Sequence, residues 1–308
     1  MGKGKKTSKT QKKSGASQLF NFARDSYFER TSRPIYAIVF LLPFIVFYEV
    51  GTFRINTDVL NQSRIRVVAF VWMQNLLELL GFGGKLAWIA PPLAVLVILV
   101  ALQITSGKSW RFWLGDIVPM VVECILLAVP LIVLTLFLSS STTSRANMEQ
   151  DNNNWAITPT EPLPACSSIA SFSPLSLSAG NGSEPTNRHL LANIITGIGA
   201  GIYEELVFRL VLICLLMLLF QDALKLTHAN AIVLSVLISA ALFSAHHHVD
   251  FFSGRLNSGD PFNVTKFIFR TIAGVYFAAL FAIRGFGITA GTHAFYNIIA
   301  VSITARFF

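Results

Sequence analysis

The sequence predicts an all-α protein, a polytopic bundle of transmembrane helices. Of its 308 residues, 53% are apolar and only 13% charged. Mean hydropathy is +0.59, far above that of a soluble domain. The apolar residues fall in runs of roughly 20, the length that crosses a bilayer. Together these features give about seven spans, or eight if the segment 65–82 also crosses.

The chain divides into four stretches. Residues 1–33 form a basic tail in which Lys3, Lys5, Lys6, Lys9, Lys12 and Lys13 precede any acid and supply most of the formal charge of +8. The tail has no interleaved aromatics and sits just before a span. It therefore reads as a solvated cytoplasmic segment that touches anionic lipid, not as a nucleic-acid binder. Residues 34–138 carry the N-terminal spans. Ile35–Val50 contains Pro43, Leu86–Ile104 opens on Pro91-Pro92, and Ile117–Leu138 contains Glu123. Ile65–Phe82 holds Gln74, Asn75 and Glu78 and is barely long enough to cross, so an interfacial amphipathic helix fits it as well. Residues 139–188 are rich in Ser, Asn, Thr and Pro without apolar periodicity, which predicts a flexible extramembrane loop. Residues 189–308 hold four more spans, Leu190–Phe220, Ala229–His246, Val264–Ile283 and Phe286–Thr304. Cys124, Cys166 and Cys214 are too far apart for a disulfide framework or a cysteine metal site.

Lys and Arg set the expected orientation. With the N-terminus in the cytoplasm and 65–82 not crossing, Lys108, Arg111, Lys225 and Arg284 all fall in cytoplasmic turns and the 139–188 loop falls outside. Arg54, Arg64 and Arg66 count against this arrangement.

Three segments carry polar residues that burial alone does not explain. In Gly197–Val211, Glu204, Glu205 and Arg209 sit inside an apolar run, where ionisable groups cost at least a few kcal/mol each. Glu205 and Arg209 are i,i+4, in the orientation that favours an ion pair. Gly197 and Gly201 share the stripe of Glu205 and admit a neighbouring helix. Glu204 lies on another face and is free for chemistry. The second segment is Phe243-Ser-Ala-His-His-His, where Phe243 and His247 share a face. The third is His293-Ala-Phe-Tyr-Asn297, which stacks an imidazole and a carboxamide on one helix face, with Gly287 and Gly291 nearby. A carboxylate and two imidazoles could bind a metal with a position open to water. Without a metal, Glu204 and His247 could polarise a water while His293 and Asn297 donate to an oxyanion.

Taken in order, Glu204-Glu205-x-x-x-Arg209, Phe243-x-x-x-His247 and His293-x-x-x-Asn297 resemble the motifs of the CPBP family. This family comprises the type II CAAX prenyl endopeptidases and the bacteriocin-processing or immunity proteins, also called the ABI family. The resemblance covers about residues 189–308. It implies an intramembrane endopeptidase, often labelled a metalloprotease, in a bacterial cell membrane. Glu204 and His247 would activate water, His293 and Asn297 would stabilise the oxyanion, and Glu205 and Arg209 would support them. If a divalent metal such as zinc is used, Glu204, His247 and His293 would be its ligands. The Phe243 spacing favours His247, with His246 or His248 as the alternatives. The partners implied are the bilayer and a membrane-associated protein or peptide substrate. The competing reading is a non-catalytic membrane immunity or scaffold protein of the same fold.

Overall fold

The computed structural model describes residues 23, 25–58, 67–82, 88–152, 186–250, 255–256 and 262–307. The basic tail up to residue 22 and the Ser/Asn segment 153–185, with Cys166, lie outside the described residues.

A short helix α1 (Tyr27–Thr31), N-capped by Ser26, leads into α2 (Pro34–Asp58), which runs through Pro43. There follow α3 (Val68–Leu79), α4 (Ala90–Ser106) and α5 (Ile117–Asn152). Gly107, in the left-handed region at φ 62°, ends α4. The next helix, α6, begins as Thr186–Glu205 and turns π-helical over Leu206–Leu212. It continues through Ile213–Met217 and ends in a second π-helical stretch, Leu218–Ala223. Thr227 caps α7 (His228–Ala245), and Asn263 caps α8 (Val264–Arg284). Gly285, at φ 78°, makes the one-residue link to α9 (Phe286–Phe307). Between α7 and α8, Val249–Asp250 pairs antiparallel with Arg255–Leu256.

Among the described residues, six helices are long and apolar enough to cross a membrane: α2, α5, α6, α7, α8 and α9. At 17 residues, α4 sits at the short end of the spanning range. The 12 residues of α3 are too few. Contacts fix the directions. Gln103, near the end of α4, accepts from the backbone N–H of Ile35 at the start of α2, so these two run antiparallel. Gly51 and Tyr48 of α2 meet Ile195 and Gly199 of α6, again antiparallel. Therefore α2 leaves the side of the bundle that holds α1, and α4 returns to it. The end of α2 and the start of α4 both lie on the far side, and α3, between them in sequence, packs against α4 and α6 without crossing. Lys108, Arg111, Lys225 and Arg284 all lie on the α1 side.

One expectation changes. The helix of Ile117–Leu138 does not stop at Ser139 but runs on to Asn152. No Gly or Pro interrupts residues 139–152, so backbone hydrogen bonding propagates past the apolar run. Likewise α6 begins at Thr186, inside the segment read as loop.

The core lies between α2, α6 and α9, with Tyr36, Phe40, Tyr48, Tyr203 and Ile288 at or near zero exposure. Small residues bring the backbones together there. A Cβ on Gly201 would fall 2.5 Å from the backbone N of Ala294, and one on Gly287 would fall 2.9 Å from Cα of Ala37. This antiparallel crossing of α6 and α9 sets the Glu-Glu motif against the His-x-x-x-Asn motif.

Candidate active site

The expected ion pair is present. Arg209 Nε lies 3.0 Å from Glu205 Oε2, and both side chains have no exposure. Arg209 sits within the π-helical stretch, and its Nη2 donates to the Gly274 carbonyl of α8 at 3.3 Å. Its guanidinium stands 4.1 Å over the Phe243 ring, a cation–π contact. In α7, Ser239 donates to the Phe208 carbonyl at 2.6 Å, which satisfies one backbone group of the π segment. Single-turn π-bulges of this kind often mark functional positions in helices.

Glu205 has a second partner. The Nδ1–H of His293 donates to Glu205 Oε1 at 2.7 Å. The His293 ring stacks on Phe277 at 4.5 Å between centroids. With Nδ1 anchored, its Nε2 faces Glu204 Oε2 at 3.9 Å.

His246 repeats this arrangement from the other side. Its Nδ1–H donates to the Phe243 carbonyl, and its Nε2 faces Glu204 Oε1 at 3.6 Å. Its ring packs against Phe208, Trp72 of α3, and His247 at 3.9 Å. His247 also reaches this cluster. Glu204, His246 and His247 each offer a ligand atom within 4.8 Å of the others. His247 is partly buried as a residue, but its Nε2 is enclosed. His248 turns away and meets Arg270 Nη1 at 3.4 Å.

These findings alter the sequence reading at one residue. His246 joins the cluster, which the Phe243-to-His247 spacing did not indicate. The α-helix ends at Ala245, and residues 246–248 form turns, so helical i,i+4 geometry no longer governs which imidazole faces inward. The sequence reading grouped Glu204 with His247 and His293; the donor atoms that lie within 4.8 Å of one another are those of Glu204, His246 and His247. His293 faces the same carboxylate while tied to Glu205. Phe243 earns its place by carrying Arg209 on its face and contacting the rings of His246, His247 and His293.

Asn297 lies one turn from His293, beside Gly197. Its Nδ2 donates to the Gly197 carbonyl at 2.9 Å, and its Oδ1 accepts no hydrogen bond among the described residues. Glycine is needed at 197, since a Cβ there would sit 2.9 Å from Cβ of Asn297.

The donor set suits a divalent metal. It combines a carboxylate with two imidazoles, and in His246 the Nδ1–H is held by the Phe243 carbonyl, leaving Nε2 as the ligand atom. Glu204 Oε2 and His246 Nε2 are both buried and make no hydrogen bond among the described residues.

Residues 186–299 match the family described as type II CAAX prenyl endopeptidase Rce1-like. The match gives this part of the chain a likeness to an Rce1-like prenyl endopeptidase domain. This domain runs from the start of α6 through most of α9 and contains every residue of the cluster. α1 to α5 precede the match. Comparison with curated proteins returned no match, nor did comparison with solved structures. That family is one of prenyl endopeptidases, and residues 186–299 are similar to it.

Proposed function

We propose that this chain is an intramembrane endopeptidase that hydrolyses a peptide bond of a membrane-associated protein or peptide. The observation that carries the reading is Glu204, a buried carboxylate faced by the Nε2 atoms of two imidazoles whose Nδ1 atoms are anchored elsewhere. Arg209 is committed to Glu205 and does not pair with Glu204, which leaves the Glu204 carboxylate to take a proton from water.

In this reading Glu204 takes a proton from a water held beside His246 and His247, and the hydroxide attacks the peptide carbonyl carbon. Glu205, compensated by Arg209, stabilises His293 with both ring nitrogens protonated, as a buried carboxylate does for the histidine of a catalytic triad. His293 Nε2–H and the remaining Nδ2–H of Asn297 then donate to the developing oxyanion. Glu204 returns its proton to the leaving amine as the C–N bond breaks. If a divalent metal such as zinc is bound, Glu204, His246 and His247 would hold it and it would supply Lewis-acid polarisation of the water.

The test is cleavage of a membrane-anchored peptide by purified protein. Glu204→Gln should remove activity while the protein melts as wild type, and Asn297→Ala should lower turnover roughly 10²–10³-fold. Loss of activity in chelator, restored by zinc, would select the metal route; unchanged activity would select direct base catalysis. Absence of cleavage in both conditions, with Glu204→Gln still supporting the cellular role, would replace this reading with the non-catalytic scaffold.

A further inference from the structure

On the α1 side of the bundle, far along the helices from Glu204, lies a cavity of about 560 Å³. It opens where α2 begins, α4 ends and the segment 107–116 leads into α5, which is the level of a bilayer surface. Arg30, Arg33, Lys108 and Arg111 line it, with Asp25 and Glu29.

The charges do not balance. Arg30 is held by Asp116 through two hydrogen bonds of 3.0 and 2.9 Å. Arg33 is shared between Glu29 at 2.5 Å and Asp25 at 2.9 Å. These pairs use up the three carboxylates. The side chains of Lys108 and Arg111 make no ion pair or hydrogen bond among the described residues. Lys108 is partly buried, and that burial pulls its pKa below the ordinary lysine value. The carboxylate nearest in effect to this ammonium, Glu29, is bonded to Arg33, which itself repels Lys108, so a further anion would be favourable there.

The cavity is also built rather than incidental. Gln103 ties the start of α2 to the carbonyl of Lys108, accepting from Ile35 N–H at 3.0 Å and donating at 2.9 Å. Tyr36 donates to Asp116 at 2.7 Å and accepts from the backbone N–H of Trp113 at 3.1 Å. Between the two cations and the helix start, Trp110, Phe112 and Trp113 project outward and exposed. Exposed tryptophans at a span terminus mark the headgroup level of a bilayer.

We propose that this cavity binds the phosphate of an anionic membrane lipid, with Lys108 and Arg111 as its ligands and Trp110 and Trp113 flanking the acyl chains. Basic pockets between transmembrane helices take lipid headgroups in this way. A free phosphate shares the chemistry but has no use for the aromatic flank. The site does not depend on the protease reading, since none of its residues belongs to the Rce1-like domain.

Native mass spectrometry of the purified full chain, with equal phosphatidylglycerol and phosphatidylcholine at physiological ionic strength to screen the lysine tail, tests it. Wild type should retain phosphatidylglycerol preferentially. Lys108→Gln/Arg111→Gln should lose roughly 20–30-fold of that preference, a few-fold for each cation, while melting as wild type in phosphatidylcholine alone. Lys108→Arg/Arg111→Lys should keep it. If the double variant folds poorly, Arg111→Gln alone, at an exposed position, should still lose a few-fold. An undiminished preference in the glutamine variants would overturn the proposal. So would displacement of the lipid by millimolar inorganic phosphate, which would assign the cavity to the free ion.

Discussion

Glu205 joins two elements through one carboxylate, with Arg209 on its own helix and His293 on α9. Removing Arg209 leaves that carboxylate buried with only an imidazole to balance it. Breaking a buried pair in this way costs about 3–5 kcal/mol. Arg209→Ala should therefore lower the melting temperature and the yield of folded protein, whereas Glu204→Gln should change activity with little change in melting. Equal melting of Arg209→Ala and wild type would remove the supporting role from this pair. His246→Ala and His247→Ala make a second comparison. Because His246 Nε2 is directed at Glu204 by the Phe243 carbonyl, His246→Ala should abolish cleavage; full activity in that variant would return the role to His247. At this scale the sequence was informative wherever helical spacing applied. Glu205 with Arg209 and His293 with Asn297 could be paired by counting. His246 could not, because it lies just past the last helical residue, where the turn and not the period aims the ring.

Among the helices, the close approach of α6 and α9 is what brings Glu205 to His293. Gly201→Ala would place a Cβ 2.5 Å from a backbone nitrogen and 2.8 Å from Cα of Ala294, and backbone cannot yield locally. It should separate the helices, lower stability and reduce activity together. Gly115→Ala, with nothing within 4 Å of its added Cβ, should be silent in both assays. If the two variants behaved alike in melting and cleavage, small-residue packing would not be what holds the site. The glycine stripe was readable from spacing alone. The π-helical stretch at Leu206–Leu212 was not. Its seven residues carry no local marker, and what supports it comes from elsewhere, from Ser239 on α7 and Gly274 on α8. The extension of α5 to Asn152 was missed for the opposite reason, since polar composition was read as loop where nothing breaks a helix.

Across the whole molecule, helix directions put α1, Lys108, Arg111, Lys225 and Arg284 on one side and the end of α5 and the start of α6 on the other. With the N-terminus in the cytoplasm, an impermeant thiol reagent on intact cells should label Cys166 while an N-terminal tag stays protected. Labelling only after permeabilisation would reverse this orientation. The ambiguous 65–82 segment resolves through geometry that composition could not supply, because the return of α4 to Ile35 leaves α3 no side to cross to. The pairing of Arg209 with Glu205 also bears on how the chain is made. Helix α6 is synthesised before α7, α8 and α9, so its charged groups enter the bilayer ahead of their partners. A cation matched one turn away on its own helix arrives already neutralised, which reduces an insertion cost of a few kcal/mol per charge. Glu204 has no such match, and the imidazoles that face it come later, His293 on the final helix. The cluster around Glu204 is therefore complete only once α9 has joined α6.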